Sequence, residues 1–315
     1  MKRTGYFLVY FFMRVLVSII QALSMETCAG IVRLVAYVLC DVVKFRAATI
    51  DENLQIALPN STPQERHKIA RRMWRHLMLM VIEVMHAPRK IHDTNWRQYL
   101  VIKDRRSIVT AMLQPRPKVI VTAHFGNFEI AGYVTGLLGF RTHTVARTIN
   151  NPFIDAYVNR FREAKGQYIL PKIGSAPQAD GVLASGGMLV LLGDQNAGPK
   201  GCWVDFMGRP SSCHKALALF TLVSKAPMVA VYCKRTTGPM HFELGLAGLM
   251  DPINPAPELA GVKQLTQWYN HVLEREIRQS MHQYWWVHRK WRDEPRRKKE
   301  SASDKPAEAA VKAAA

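Results

Sequence analysis

A short β-branched run near the middle of the chain constrains the fold more than any other stretch. The run from Val119 to Thr122 has the composition of a buried strand, and Gly126 and Asn127 follow it as turn residues. A segment that can begin a helix comes directly after this turn. A buried strand that leads through a turn into a helix indicates an α/β domain.

The chain beyond Lys118 alternates between strand and helix patterns. Further strands are predicted at 142–147, 188–193, 228–235 and 241–246. Helices are predicted at 153–165, 176–185, 215–224 and 259–281. This order predicts an α/β sandwich around a central, mostly parallel sheet whose far end is mixed. Ahead of the sheet, residues 51–60 have the composition of a connector, and a capping box at Thr62 and Glu65 begins a helix that runs to about Ala87.

A histidine stands where the first of these strands ends, and a carboxylate follows five residues later. Side chains at the carboxyl ends of strands in α/β domains point into the ligand crevice, which gives His124 an open position. Glu129 can fold back over the turn to hold the imidazole ring. A lone histidine at a strand end is usually structural, but the turn and the paired carboxylate favour a catalytic base here.

The N-terminal part of the chain contains two apolar segments. Residues 6–23 would form a helix of about 27 Å, just long enough to cross a hydrocarbon core, although Arg14 interrupts them. Residues 28–45 form the second segment. A simple span would place Lys2 and Arg3 on the side opposite the main domain, against the positive-inside tendency. We therefore expect membrane attachment through an embedded hairpin or an in-plane anchor rather than a simple span.

The charge balance favours an anionic partner. Of 315 residues, 43 are Lys or Arg and 24 are Asp or Glu, which gives a formal net charge of +19. Nucleic acid, an anionic bilayer, a phosphorylated substrate or an acidic carrier protein would each suit this excess. The five cysteines are odd in number and match no metal or disulfide spacing, so we expect a globular part that faces the cytosol.

Common catalytic and cofactor signatures are absent from the sequence, which has no Walker loop, GxGxxG, HExxH or GxSxG elbow. Without an evident nucleophile, the simplest scheme has His124 deprotonate a substrate hydroxyl directly. That hydroxyl would attack an activated acyl group, and a carboxylate on the far ring nitrogen would stabilise the imidazolium. Backbone amides near Gly126 and Asn127 could receive the oxyanion.

The setting of the histidine, AHFGNFE at 123–129, resembles the lipid A biosynthesis lauroyl/myristoyl acyltransferase family within the lysophospholipid acyltransferase superfamily. Other stretches agree in order up to about Arg292: the apolar N-terminal anchor, ENLQIALPNSTPQER, ARTINNPFIDAYVNRFR, LLGDQNAG, VDFMGRP and QYWWVHRKWR. The FPEGTRS-like motif of the glycerol-phosphate acyltransferase branch is absent, and LLGDQNAG stands in its place. This departure favours a glycolipid acceptor over a lysophosphatidate.

The resemblance implies a glycerol-phosphate-acyltransferase-like sandwich that moves an acyl group from acyl carrier protein to a hydroxyl of a lipid A precursor, without metal or cofactor. The site would lie at the cytoplasmic face of the inner membrane. His124 would be the base and Glu129 its partner. Arg147 would contact the substrate hydroxyl region, the oxyanion or a phosphate. Asp194 would line the same crevice or cap a helix, and Asn127 is a substrate-binding candidate that also suits a turn.

The chain accordingly divides into three predicted parts. Residues 1–45 form a membrane anchor, 46–292 an acyltransferase domain, and 293–315 a charged, Ala-rich tail that we expect to be disordered. Guanidinium and ammonium groups pair well with phosphate. Further candidates for contacts with an anionic glycolipid or carrier protein are Arg160, Arg162, Lys165, Lys172 and Arg209.

Two alternatives stay open on the sequence. The acceptor could be a different glycolipid or a lysophospholipid, and the donor could be a coenzyme A thioester. Outside the enzymes, the +19 charge and the basic cluster at 296–299 are compatible with a membrane-associated binding protein for nucleic acid or anionic lipid. Against nucleic acid, the basic residues are spread through the chain and no nucleic-acid module is recognisable.

Overall fold

A central sheet organises the computed structural model, which describes residues 2–253 and 259–292. Its strands are β1 (Leu100–Ile102), β2 (Lys118–Thr122), β3 (Thr142–Ala146), β4 (Gln167–Pro171), β5 (Met188–Leu192), β8 (Met228–Arg235) and β9 (Phe242–Met250). They lie side by side in the order β1-β9-β8-β2-β5-β3-β4. A separate two-stranded hairpin is formed by β6 (Cys202–Phe206) and β7 (Arg209–Cys213).

The sheet is parallel except for one pairing among the described strands. β2 runs parallel to both of its neighbours, β5 and β8, whereas β9 runs antiparallel to β8. All five residues of β2 are buried, as expected for a strand covered by helices on both faces. The predicted α/β class and the mostly parallel sheet with a mixed end are confirmed.

Helices cover both faces of this sheet. They are α1 (Lys2–Ala22), α2 (Met25–Tyr37), α3 (Ala47–Ala57), α4 (Pro63–Lys90), α5 (Arg105–Leu113), α6 (Phe128–Leu137), α7 (Pro152–Glu163), α8 (Ala176–Ala184), α9 (Ala216–Ser224) and α10 (Val262–Gln279). Ile120 of β2 packs with α4, α5 and α6. Val119 and Val121 point the other way, towards α8, α9 and α10. This alternation follows from the two-residue period of a strand.

The capping box predicted at the start of α4 is present. Thr62 accepts a hydrogen bond from the Glu65 amide, and the Glu65 carboxylate accepts one from the Thr62 amide at 2.8 Å. Met73 lies on the buried face of the helix, whereas Arg71 and Arg75 are exposed on the opposite face. The helix is therefore amphipathic, with a basic outer surface.

Helix α1 is long and apolar enough to cross a membrane, and about 6 % of its most apolar stretch is buried. Both of its ends contact the rest of the protein. Asn151, which caps α7, donates to the Tyr6 carbonyl at 2.8 Å. Gln21 donates to the Met85 carbonyl in α4 at 2.6 Å. Most of the apolar surface of α1 is nevertheless exposed.

The connector predicted at 51–60 is wrong for most of its length, because α3 continues through it to Ala57. Leu54 and Ala57 are buried in the main core. The polar residue Asn53 is also buried, and its amide donates to the Trp286 carbonyl at 2.7 Å. A helix whose polar residue makes a core contact has a composition that is easily mistaken for a loop.

Several short elements have no counterpart among the predicted ones. β1 and β4 were missed because they lie at the two edges of the sheet, where a strand needs fewer apolar residues. The β6–β7 hairpin and α5 were missed as well, since each element is short and both β7 and α5 are rich in polar residues. The tail predicted at 293–315 lies outside the described residues.

Residues 284–292 return across the carboxyl ends of the strands. The Trp285 amide donates to the His124 carbonyl at 3.1 Å. Arg46 donates to the Val287 carbonyl at 2.9 Å, and Asn196 donates to the Lys290 carbonyl at 2.9 Å. This closing segment therefore lies directly over the end of β2, where the candidate site is found.

Candidate active site

His124 and Asp194 stand at equivalent positions beyond two neighbouring strands. Thr122 and Leu192 lie opposite each other in the parallel β2–β5 pair, and each site residue is two positions further on. The register thus brings the side chains together, with His124 Nδ1 2.9 Å from Asp194 Oδ1. An ionised carboxylate only accepts hydrogen bonds, so Nδ1 carries the hydrogen and donates it.

Asp194 is almost completely buried and still ionised. Burial raises the pKa of this carboxyl, but the charge of His124, the hydrogen bond from its ring and the charge of Lys290 outweigh burial. Together they hold the pKa of Asp194 well below its usual range. Lys290 is itself buried and donates to Cys213 Sγ at 3.3 Å. Asp194 is therefore a fixed negative charge behind the imidazole.

Glu129 does not hold the imidazole, so the hydrogen bond predicted between Glu129 and His124 is wrong. Within the described residues, Glu129 pairs with Arg162 of α7, whose Nε donates to Oε2 at 3.0 Å while a second nitrogen donates to Oε1. Because α6 begins at Phe128, residue 129 already lies on the helix surface. A guanidinium there offers two charge-assisted bonds, and Asp194 already occupies the ring nitrogen.

Gln195 faces the other ring nitrogen of His124. Its Nε2 lies 3.1 Å from His124 Nε2 and 3.0 Å from His288 Nε2. An amide nitrogen only donates, so His288 Nε2 acts as an acceptor. Gln195 Nε2 also lies 3.5 Å from His124 Nδ1, which places it over the face of the His124 ring. With its hydrogen on Nδ1, neutral His124 has a lone pair on Nε2, which is the tautomer that a general base needs. Burial, and then the charge of His124, lowers the pKa of His288 to about 4, so His288 is neutral near pH 7.

Aromatic rings fix the plane of the imidazole. The ring centroids of Trp285 and Phe128 lie 5.0 and 5.1 Å from that of His124. Gln195, Trp285 and His288 were not predicted as site residues. Their one signal in the sequence was that they lie in GDQN and WWVHRK, two of the stretches that carry the family resemblance.

A buried ion pair holds the turn that follows His124. Arg235 Nε donates to Glu83 Oε1 at 2.7 Å, and Asn127 Nδ2 donates to Glu83 Oε2 at 3.0 Å. Arg235 also donates to His76 Nδ1 at 2.7 Å, which leaves His76 Nε2 to donate to the Gly126 carbonyl at 3.1 Å. Burial, and then the charge of Arg235, lowers the pKa of His76 well below its usual value. This network ties α4 to the turn.

Asn127 is fully buried and does not line the adjoining cavity. Its Oδ1 accepts from the Ile130 amide at 3.2 Å, so the side chain caps α6 instead of making the predicted substrate contact. The amides of the turn are also occupied. Gly126 N donates to the Gln283 carbonyl at 2.9 Å, and Asn127 N donates to the Cys233 carbonyl at 2.7 Å. The amides of Gly126 and Asn127 themselves are therefore not free to receive an oxyanion, and for the amides near them the role stays a prediction.

A cavity of about 680 Å³ opens beside His124. It extends along β3 between the sheet and helices α5 and α6, and its deeper lining includes Ile108, Met112, Ile120, Leu138, Phe140 and Val231. Ligand pockets in proteins commonly measure roughly 300–1,000 Å³. The cavity can hold an apolar chain whose polar end lies at His124.

Basic side chains surround the mouth of the cavity, where Arg147, Arg162 and Lys172 belong to the lining. Burial lowers the pKa of Arg162, but the hydrogen bonds and the charge of Glu129 raise it overall. Burial, and then the charge of Lys172, lowers the pKa of His214, which also lines the mouth. The predicted position of Arg147 in the crevice agrees with this geometry. The lining does not include the other basic candidates, Arg160, Lys165 and Arg209.

One group among the described residues, formed by Cys40, Asp41 and His67, has ligand atoms close enough to hold a metal ion. His67 Nε2 lies 2.9 Å from Asp41 Oδ1, and Arg71 Nε lies 3.6 Å from Oδ2. A guanidinium beside the carboxylate repels a metal cation. The group does not line the cavity, and we interpret it as an ion-pair cluster.

Comparisons with known proteins agree with the chemistry of this site. A family model described as bacterial lipid A biosynthesis acyltransferase matches residues 1–293. The chain is 24 % identical over 257 residues to the lipid A biosynthesis palmitoleoyltransferase of Escherichia coli (strain K12), covering 80 % of each protein. It is similar to the same extent to the lipid A biosynthesis acyltransferase of Shigella flexneri. Among solved structures, the 1-acyl-sn-glycerophosphate acyltransferase from Thermotoga maritima aligns with a TM-score of 0.41 and 12 % identity, over 83 % of this chain and 99 % of that one.

Proposed function

Because this chain belongs to the bacterial lipid A biosynthesis acyltransferase family, we propose that it transfers a fatty acyl group from acyl carrier protein to a hydroxyl of a lipid A precursor. That it is an acyltransferase follows from the family itself. The finer proposal rests on the His124–Asp194 pair at the mouth of the apolar cavity. A fatty chain inside the cavity would bring its thioester carbon to His124.

In the proposed reaction, His124 is the general base. Its Nε2 accepts the proton of the acceptor hydroxyl while the hydroxyl oxygen attacks the thioester carbon. Asp194 stabilises the imidazolium through the hydrogen bond to Nδ1. When the tetrahedral intermediate collapses, the carbon–sulfur bond breaks and the proton passes from Nε2 to the departing thiolate. The acyl group moves in one addition and one elimination, without a covalent acyl-enzyme.

The basic mouth supports an anionic acceptor. Arg147 and Lys172 lie on its lining, where each can pair with a phosphate of a lipid A precursor. Glu129 fixes the guanidinium of Arg162 beside them with two hydrogen bonds. We propose that Glu129 acts in this way, by orienting a substrate-binding arginine rather than by holding the base.

The outer face of α4 supports an acidic carrier protein as the donor. Arg72 and Arg75 are exposed on this face. Burial, and then the charges of Arg72, Arg235 and Arg75, lowers the pKa of His282 to about 4. Basic side chains therefore cluster around His282, just before the closing segment, which suits an acidic protein and also the phosphates of coenzyme A.

We further propose that the protein lies at the inner membrane with its site on the cytoplasmic face. Residues 1–45 would be the anchor and residues 46–292 the acyltransferase domain. The exposed apolar surface of α1 supports this arrangement, because an apolar surface of that size on a water-soluble protein would be costly. The second apolar segment packs on the domain instead, since Cys28 and Val32 of α2 are buried against α4.

Mass spectrometry of lipid A from a deletion strain tests the proposed acceptor. We expect lipid A that lacks one acyl group, with the full mass restored by the wild-type gene and not by a His124→Ala variant. Unchanged lipid A, together with a changed profile of another glycolipid or of phospholipids, would contradict the acceptor while leaving acyl transfer intact. A full restoration by His124→Ala would contradict the assigned base.

A further inference from the structure

We propose that the Gln195 side-chain amide stabilises the oxyanion of the tetrahedral intermediate, and that His288 holds this amide in place. The inference rests on the proposed acyl transfer and deepens it. It assigns a catalytic role to Gln195 and a positioning role to His288, neither of which follows from the strand–turn–helix pattern around the base.

The donor lies beside the reacting atoms. Gln195 Nε2 lies 3.1 Å from His124 Nε2 and 3.5 Å from His124 Nδ1, over the face of the ring, and 3.0 Å from His288 Nε2. One of its two hydrogens bonds to the lone pair of His288 Nε2 and anchors the nitrogen. The other lies beside the in-plane lone pair of His124 Nε2, where a substrate hydroxyl binds, and can point at the substrate.

The reaction creates the charge that this N–H would receive. Attack on the thioester carbon forms a carbon–oxygen bond and moves the carbonyl electron pair onto oxygen. The hydroxyl oxygen lies next to His124 Nε2 at that moment, so the carbonyl oxygen of the attacked carbon lies within reach of a donor 3.1 Å from the same nitrogen. Expulsion of the thiolate returns the electron pair and releases the hydrogen bond.

The backbone of the adjoining turn leaves this role open. Gly126 N and Asn127 N both donate to backbone carbonyls within the protein, at 2.9 and 2.7 Å. Neither of these two amides is free to receive the oxyanion. Gln195, by contrast, lies on the lining of the cavity next to His124.

His288 suits a positioning role because its ring is held from behind. Its ring centroid lies 5.5 Å from that of Trp285, and Asn53 donates to its carbonyl at 2.6 Å. The ring presents its Nε2 lone pair to Gln195 and does not line the cavity. Its effect on the reaction therefore passes through Gln195.

Steady-state kinetics of purified full-length protein test the role of Gln195. We expect Gln195→Ala and Gln195→Glu to lower kcat about 100- to 1,000-fold, as loss of one oxyanion donor does elsewhere, with KM changed much less. Binding of a thioester analogue with methylene in place of sulfur should stay within about threefold of wild type, because the ground state has no oxyanion. Unchanged kcat in Gln195→Ala would overturn this inference, while loss of activity in His124→Ala would still support the proposed reaction.

A double-mutant cycle tests the role of His288. If His288 acts through Gln195, kcat should fall less in His288→Ala than in Gln195→Ala, and it should fall no further in the double variant than in Gln195→Ala alone. His288→Asn, whose side chain can still accept from the Gln195 amide, should recover part of the loss. Losses that multiply in the double variant would overturn the positioning role. A wild-type protein without acyl transfer would overturn both this inference and the proposed function.

A different observation carries a second inference: we infer that α1 lies in the plane of an anionic bilayer, together with the loops 147–151 and 172–175. α1 cannot leave the domain easily, because Phe7 packs on Phe153 at 5.6 Å between ring centroids and Arg14 lies 4.6 Å from the Tyr157 ring. A perpendicular span of α1 would carry the charged helix α7 into the hydrocarbon core.

The two loops continue the apolar surface of α1 towards the cavity. Ile173 is 93 % exposed between Lys172 and Gly174, and Ile149 is exposed two residues before Asn151, which bonds to α1. The two loops begin side by side, since Lys172 N, directly after β4, donates to the carbonyl of Ala146, the last residue of β3, at 2.9 Å. An exposed isoleucine beside basic residues matches the interface of an anionic membrane. The cavity mouth would then open at the lipid surface.

Fluorescence quenching in vesicles of phosphatidylethanolamine and phosphatidylglycerol tests this orientation. Each variant carries a fluorescent label on one introduced cysteine, at Ile173, at Phe12 of α1 or at Val223 of α9. The background is Cys202→Ser, because the other four native cysteines are buried. We expect lipids with shallow nitroxides to quench Ile173→Cys and Phe12→Cys more than deep ones, and neither to quench Val223→Cys. Strongest quenching of Phe12→Cys by deep nitroxides, or no quenching of Ile173→Cys, would overturn the in-plane arrangement.

Discussion

His124 obtains its chemistry from residues that are distant in sequence. Asp194 is 70 residues away and fixes the hydrogen on Nδ1, while Gln195 lies over the ring with its Nε2 3.1 Å from His124 Nε2. Glu129, the nearest carboxylate in sequence, instead fixes Arg162. One hydrogen bond thus joins the proposed base to the carboxylate that orients it, and a separate ion pair fixes a cation at the mouth of the cavity.

Replacement of Asp194 by asparagine separates this account from one in which Glu129 holds the base. Asp194→Asn keeps the shape but removes the charge that stabilises the imidazolium, so we expect kcat to fall by roughly 100- to 10,000-fold. Glu129→Gln is the matched control, and its main effect should be a higher KM for the acceptor because Arg162 loses its partner. Transfer kinetics at saturating donor measure both. A near-normal kcat in Asp194→Asn would contradict the assignment.

The proposed base could be identified as a candidate from sequence, but the carboxylate that the structure places beside it could not. The strand ending at Thr122 and the turn at Gly126 are local features, and they identify His124. Asp194 becomes its neighbour only through the β2–β5 register, which depends on packing across the whole sheet. Spacing along the chain favoured Glu129, because sequence patterns weigh near neighbours more than distant ones.

At the scale of elements, the turn after β2 has almost no freedom. Gly126 has a φ of +62°, and a β-carbon there would lie 1.9 Å from the Cys233 carbonyl oxygen. Gly126 also accepts from His76 and donates to Gln283. The β2–α6 turn is therefore locked against β8 and the closing segment, which fixes the direction of the His124 side chain.

Gly126→Ala should consequently destabilise the fold, by roughly 2–4 kcal/mol, because both the backbone angle and the contact with Cys233 oppose a side chain. Gly181→Ala is the control. Gly181 lies in α8 with nothing within 4 Å of the added carbon, so alanine there should leave stability unchanged or raise it by up to about 1 kcal/mol. Thermal unfolding in detergent compares the two. Equal melting temperatures for the two variants would contradict the locked turn.

His288 in the closing segment and His282 just before it should make the stability of the fold depend on pH. The folded pKa of His288 is lowered to about 4 from an ordinary value of 6.5, and that of His282 is lowered similarly. Between these pH values the unfolded chain binds more protons than the folded one, so stability falls as pH falls from 6.5 to 4. We expect a lower melting temperature at pH 5 than at pH 7.5.

His288→Asn supplies the control for this pH dependence. The variant lacks one of the two titrating groups, so its melting temperature should drop less between pH 7.5 and pH 5 than that of the wild type. Asp194 contributes at lower pH. Because its folded pKa is lowered, its contribution to the stability of the fold is present above the usual carboxyl pKa and is lost as pH falls below that value. A drop as large in His288→Asn as in the wild type would contradict the role assigned to this histidine.

At the scale of the whole molecule, an apolar cavity joins the proposed catalytic pair to the interior of the α/β sandwich. Met112 of α5 lines it, whereas the next residue, Leu113, is exposed on the same helix. Met112→Trp should fill part of the cavity and shift the preference towards shorter acyl donors. Leu113→Trp should keep the wild-type preference. Competition between thioesters of different chain length, read by mass spectrometry, measures the shift, and an identical preference in both variants would contradict an acyl chain at Met112.

The architecture was more predictable than the site because it depends on many repeated signals. The apolar runs at β2 and β5 and the capping box of α4 each satisfy local rules, and each is present where it was predicted. The edge strands β1 and β4 carry weaker signals, since only one neighbour constrains each of them. α3 was hidden because its polar residue Asn53 makes a buried contact with the closing segment.

The most direct test of the central claim is acyl transfer by purified protein from an acylated carrier protein to a lipid A precursor. Product mass and intact protein mass should be followed together through the first turnovers. The account predicts a precursor heavier by one acyl group, an enzyme of unchanged mass, and loss of product in both His124→Ala and Asp194→Asn. An acylated enzyme, or wild-type transfer rates in either variant, would contradict it.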